Sequence, residues 1–283
     1  MKTVQAIEHC HSIVRRHDKD RYLASLFASD DNRPFLWALY AFNYEIARVR
    51  ELVSDPVLGE MRFQWWSDVI DRLYENSAIE HPVAQVLAGA IEHRALPKPP
   101  FINLIEARKF DLYNDPMPSL AQLEGYLGET SSAVIQLAAI ILAGSEAANS
   151  ATAAGYAGVA YGVAGLLRAL PMHRARGQCY LPSDMLEHEG LSAAHVLSGR
   201  REKGLLRVLE TMNSFAARRL AEARALRREV STAALPAFLP AALIDGYLIK
   251  ISRAGFDALD KMTDVPQWRR QLRLWYMART GQF

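Results

Sequence analysis

The chain is poor in cysteine. Cys10 and Cys179 stand 169 positions apart and neither lies in a CxxC or Cys/His cluster, which argues against a disulfide framework or a zinc site and for two reduced thiols. No apolar run reaches the roughly 18 residues that a spanning helix needs. The longest, 133–144, is interrupted by Gln136, so the chain is not expected to cross a membrane. Period-2 alternation, hairpin turns and βα alternation are absent, which removes β and α/β folds from consideration. Nor does any repeat, low-complexity segment or linker mark a second domain. The first 19 residues carry Glu8, Asp18 and three histidines, a composition foreign to secretory signals and to Arg-rich transit peptides. The expected location is therefore the cytoplasm of a bacterium or archaeon, unless the chain is a mature form that has lost a presequence.

What the sequence does hold is helix. Half of its 283 residues are apolar and the mean hydropathy is −0.06, a profile that supplies a generous core. Residues 35–53 place Leu36, Leu39, Tyr40, Asn43, Ala47 and Arg50 near one helical face, and Pro56 follows their end. In 59–76, Trp65, Val69 and Leu73 recur at the i, i+4, i+8 spacing of a buried stripe. Further helices are expected over 82–94, 101–112, 120–142, 148–170, 182–188, 202–230, 235–262 and 265–280, with the Pro-rich 96–100 as a stiff connector. The prediction is one all-α helical domain over 1–283, built from about eight to ten helices. Net charge is +2, but 16 Lys and Arg face 8 Asp and Glu from Arg200 onward, against 17 and 23 before it. A C-terminal third at +8 beside a remainder at −6 either marks a surface for anionic lipid or reflects ordinary solvated helix faces.

Ala38-Leu39-Tyr40-Ala41-Phe42, and Arg168 followed by Gly177 and Tyr180-Leu181-Pro182, resemble two motifs of the squalene/phytoene synthase family. The 106–112 and 126–132 segments and Trp65-Trp66 also fit, so the resemblance covers about residues 20–260. It implies the isoprenoid synthase type of helical bundle and, in active members, two DxxxD motifs whose aspartates lie on one helix face and hold Mg²⁺ for diphosphate departure. Here the first motif falls on Ala47 and Glu51, with Arg48 where a third Asp is frequent, and the second on Ala169 and His173. Arg21-Tyr22 stands where the family has a Ser-Phe phosphate contact, and Pro171 is expected to end or kink the helix of the second motif.

These departures resemble those of a non-catalytic branch, the mitochondrial respiratory complex I assembly factor that shares the fold. The resemblance implies a pseudoenzyme assisting assembly of a membrane respiratory complex, or binding an isoprenoid or anionic lipid. The alternative is a prenyl transferase with an altered metal site. No cofactor is expected, Mg²⁺ only under the alternative, and no nucleic-acid partner.

A remnant pocket is expected around Ala47, Arg48, Glu51, Arg168, Ala169 and His173. Glu51 reads as an ion-pair partner or a remnant ligand, and His173 as a polar pocket residue rather than a metal ligand. Arg48 and Arg168 read as structural ion pairs or as a shared anion site. On the last helix, Trp268, Leu272 and Trp275 form a stripe among Arg269, Arg270, Arg273 and Arg279. That helix either docks on the bundle or lies in a membrane interface, giving a peripheral place at the inner membrane.

Overall fold

The computed structural model describes residues 2–77 and 79–283, with the backbone alone at residue 2. Its first helix, α1 (Lys2–His17), buries Ala6, Cys10 and Val14, a four-residue recurrence that gives one apolar stripe. Burial pushes the Cys10 thiol up to about 12, which keeps it protonated and inert. The carboxylate of Asp18 accepts the Arg21 amide at 3.1 Å and so caps the short α2 (Lys19–Ser25). Neither helix is anticipated from the sequence, where charge and histidine obscure the stripe.

Proline sets the next starts. The helices α3 (Arg33–Ala47), α5 (Pro56–Tyr74), α6 (Pro82–Arg94) and α7 (Pro99–Arg108) each carry Pro in their first turn, where the missing N–H would have had no partner. Between α3 and α5 lies the single turn α4 (Val49–Leu52), so the helix expected over 35–53 is broken at Arg48. α8 (Leu120–Leu127) runs through a π turn at Gly128–Ser132 into α9 (Ala133–Ala143). The Ala/Gly-rich α10 (Ala151–Arg168) lies against that turn and against α9. A Cβ on Gly158 would fall 2.3 Å from the Ser132 Cα, so glycine is what permits this approach.

After Ala169 come α11 (Leu170–Ala175), with Pro171 in its first turn, then α12 (Ser183–His188) and α13 (Ala193–Ser198). The long α14 (Lys203–Ala225) packs along α10. The stretch expected as one helix over 235–262 is α15 (Leu235–Phe238), a 3₁₀ segment, α16 (Ile244–Ala254) and a second 3₁₀ segment. The last helix is α17 (Gln267–Thr280). Among the described residues there is no strand, as the all-α reading requires.

One contiguous apolar core runs from Ala6 to Phe283. Two helical paths, Leu120–Arg168 and Leu235–Leu259, are long and apolar enough by composition to cross a membrane, contrary to the expectation from uninterrupted apolar runs. Their apolar windows are 61% and 72% buried inside the bundle, and that burial accounts for their composition.

Candidate functional site

The six degenerate positions do not share one pocket wall. Arg48, at the break between α3 and α4, lies 3.6 Å from Glu45 on its own helix and over the Tyr44 ring. Glu51 pairs with Arg176 at 2.7 Å, and both are exposed. This contact ties the first degenerate motif to the residue that caps the helix of the second, Arg176, which was not singled out. Ala169 is the joint between α10 and α11, where the helix breaks as Pro171 predicted. None of the six lines any of five surface clefts of about 380 to 570 Å³.

His173 packs against the Tyr180 ring at 4.7 Å between centroids. Burial lowers its pKa from 6.5 to about 4, against an opposing pull from Asp111. The imidazole is neutral near pH 7. The residues therefore do not fit a Mg²⁺ cluster, because hard octahedral cations take carboxylates and waters. Two alanines supply nothing, His173 is a nitrogen donor packed on a ring, and Glu51 is already in an ion pair. Among the described residues, no three His, Cys, Asp or Glu side chains gather in a metal-holding group.

Arg168 leads to a different constellation. Its guanidinium lies 3.7 Å over the Tyr247 ring, bonds Asp264 at 3.1 Å and stands 3.7 Å from Asp20. Asp20, buried on α2, also accepts Arg270 of α17 at 2.8 Å and Tyr247 of α16 at 2.6 Å. Tyr161 of α10 donates to the same carboxylate at 3.5 Å. Burial first, then the Asp20 charge, hold both phenols far above their ordinary pKa, so they remain donors. Beside them Arg21 is buried between the Tyr40 and Tyr161 rings and paired with Asp18 at 2.8 Å.

A second buried carboxylate, Asp111, accepts Tyr180 at 2.7 Å, Tyr126 at 2.8 Å and Arg108 at 3.1 Å. The Gln178 amide closes this cluster with a 2.9 Å bond to the Asp111 carbonyl. Sequence reading marked the segments holding Arg108, Asp111, Tyr126 and Tyr180 only as family matches and passed over Asp20, Tyr161 and Tyr247. No local signal in the sequence could have raised them, since Asp20 stands among the charged residues Asp18, Lys19 and Arg21.

On α17 the side chains separate by face. Trp268, Leu272, Trp275 and Tyr276 are 52 to 61% exposed, with Arg269 over the Trp268 ring and Arg279 over that of Trp275. Arg270, grouped by sequence with the membrane contacts, is instead 8% exposed and turned inward to Asp20. Its place on the Leu274 and Met277 face explains why. Arg273 is divided between solvent and the bundle, bonding Asp245 and the Ala242 carbonyl at 3.3 Å each.

With this geometry in view, residues 14–276 match the family model described as squalene/phytoene synthase. The chain belongs to the squalene/phytoene synthase family. Within it, the chain is 31% identical over 249 residues to complex I assembly factor 6 of Bos taurus, covering 88% of this chain and 74% of that protein. The Mus musculus factor is 32% identical at the same coverage. A phytoene synthase of Thermus thermophilus is 27% identical over 276 residues, covering 93% and 89%. The fold is similar to squalene synthase HpnC of Alicyclobacillus acidocaldarius, with TM-score 0.79 and 23% identity over 90% of this chain and 95% of that one. It is also similar to a dehydrosqualene synthase, with TM-score 0.85 and 16% identity over 98% and 96%.

Proposed function

We propose that this member of the squalene/phytoene synthase family does not condense prenyl diphosphates and instead assists assembly of a membrane respiratory complex of the complex I type. The observation that carries the reading is the set of side chains where two DxxxD motifs would stand. Ala47, Ala169 and His173 offer no carboxylate, and Glu51 is held by Arg176. Without a metal-bridged diphosphate, ionisation of an allylic substrate lacks its electrophile. Similarity to the complex I assembly factors supplies the class of client.

The client is membrane-bound, so the chain works peripherally at the inner membrane, and the outer face of α17 is the surface suited to it. Exposed Trp and Tyr rings beside Arg269 and Arg279 combine interfacial burial with attraction to anionic headgroups. Each basic residue near such a surface contributes about 1 kcal/mol, screened over roughly 8 Å at physiological salt, so binding is weak and reversible.

Two measurements test this. Purified protein with farnesyl or geranylgeranyl diphosphate and Mg²⁺ is expected to yield no squalene or phytoene, whereas turnover on the order of 1 per second would end the non-catalytic reading. Deleting the gene in its host is expected to lower assembled NADH dehydrogenase in membranes, and an unchanged level would remove the assembly role. For the surface, anionic vesicles at low salt should sediment the native chain and lose it when Trp268 and Trp275 become Ala. Equal sedimentation of both would leave the α17 face without this role.

A further inference from the structure

The Asp20 carboxylate has the surroundings of a bound ligand. Four donors from three helices converge on it, namely Arg168 and Tyr161 of α10, Tyr247 of α16 and Arg270 of α17. Tyr247 is 1% exposed, and Arg270 and Asp20 are 8% and 4% exposed. Two guanidiniums and two protonated phenols around one point form a donor-rich environment, which suits an acceptor-only oxyanion and not a neutral ligand. Arg168 is further fixed by stacking on the Tyr247 ring and by Asp264, which also stands 3.7 Å from Arg270. Asp264 is half-exposed at the rim, so it orients the two cations without filling the space between them.

The group that does fill that space belongs to α2, seven residues bounded by its Asp18 cap and by the turn after Ser25. We propose that Arg168, Tyr161, Tyr247 and Arg270 make a small oxyanion pocket whose occupant is the chain's own Asp20 carboxylate, so that the pocket admits an external carboxylate only when Asp20 is taken away. While α2 is seated, this end of the bundle is closed to ligands with an anionic head. Of the two readings of Arg168 from sequence, a structural ion pair or an anion site shared with Arg48, the contacts with Asp20 and Asp264 fit the first.

Asp20→Ala removes one carboxylate and leaves a cavity of about that size with its donors in place, for which formate is the matched probe. Thermal unfolding of the full chain is followed in sodium formate and in sodium chloride of equal ionic strength. The native protein is expected to show the same midpoint in both. Asp20→Ala is expected to be destabilised in chloride and to regain about 5 °C or more, saturably, in formate. Asp20→Asn keeps the volume filled and should be destabilised without formate rescue. Adding Arg270→Gln to Asp20→Ala should abolish the rescue.

If Asp20→Ala does not accumulate folded, refolding yield in formate against chloride is read instead, with the same contrast expected. Three results would overturn the proposal: no formate effect on Asp20→Ala, equal rescue of Asp20→Asn, or saturable stabilisation of the native chain by formate or inorganic phosphate that Arg270→Gln removes. The last would mean that the pocket is open as the protein stands.

Discussion

Asp20 and Asp111 are both buried carboxylates gripped by arginine and two tyrosines, yet they bind the fold together in different ways. Around Asp111 every partner comes from the middle of the chain, between Arg108 and Tyr180. Around Asp20 the partners lie 141 to 250 residues away, on α10, α16 and α17. The first arrangement consolidates one region, whereas the second fastens an early helix to a late one. The same chemical group thus serves local order in one place and chain closure in another.

The largest expected effect comes from removing either carboxylate. Asp111→Ala and Asp20→Ala should each cost about 3 to 5 kcal/mol in denaturant unfolding, because buried guanidiniums are left uncompensated. What separates them is where protection is lost. Amide exchange should quicken throughout α17 in Asp20→Ala and stay native there in Asp111→Ala. Equal exchange in α17 would erase the distinction between closure and local order.

Next in size is an acid effect confined to the Asp111 side, where His173 lies against Tyr180. Its native pKa is about 4 while the unfolded chain titrates at 6.5, so the unfolded state binds the extra proton first. Stability is therefore complete above the unfolded value and falls as pH drops from 6.5 toward 4, by up to about 3 kcal/mol. His173→Gln should flatten that limb of the stability curve. If its slope matches the native one, the acid sensitivity comes from elsewhere.

Smaller again are the phenols. Tyr247→Phe deletes a 2.6 Å bond to Asp20 and Tyr126→Phe a 2.8 Å bond to Asp111. Each should lower stability by about 1.5 to 3 kcal/mol, the range for bonds to charged acceptors. Only Tyr247→Phe should loosen α17. The smallest effect is reserved for the exposed Glu51–Arg176 pair, where Glu51→Gln should change stability by less than about 1 kcal/mol. A larger loss would give the two degenerate motifs a structural weight that their exposure does not suggest.

The helical framework from Arg33 onward was legible because apolar periodicity and proline punctuation are local signals. The helix 82–94 matches α6 at both ends, and Pro171 marked the break after α10. α1 was missed even though Ala6, Cys10 and Val14 carry an i, i+4, i+8 stripe, because the charged residues between them dominated the reading. The π turn at Gly128–Ser132 was invisible, since backbone register is set there by packing against α10 rather than by composition. Arg270 was misassigned for a correctable reason: charge placed it with Arg269, but periodicity places it with Leu274 and Met277. The Asp20 constellation had no local signature, because a single sequence does not reveal which distant donors a lone aspartate will meet.

The 250-residue gap between Asp20 and Arg270 also sets an order of events at the ribosome. At about 5 to 20 residues per second, the partner of the α2 carboxylate is made roughly 12 to 50 seconds after it. Through that interval α2 has α1 and α3 as neighbours and, once α10 is made, Arg168, but not Arg270, the nearer of its two cations. A nascent chain in this state presents an unsealed bundle end, the sort of surface that holding chaperones recognise, and the seal forms only when translation reaches the last helix.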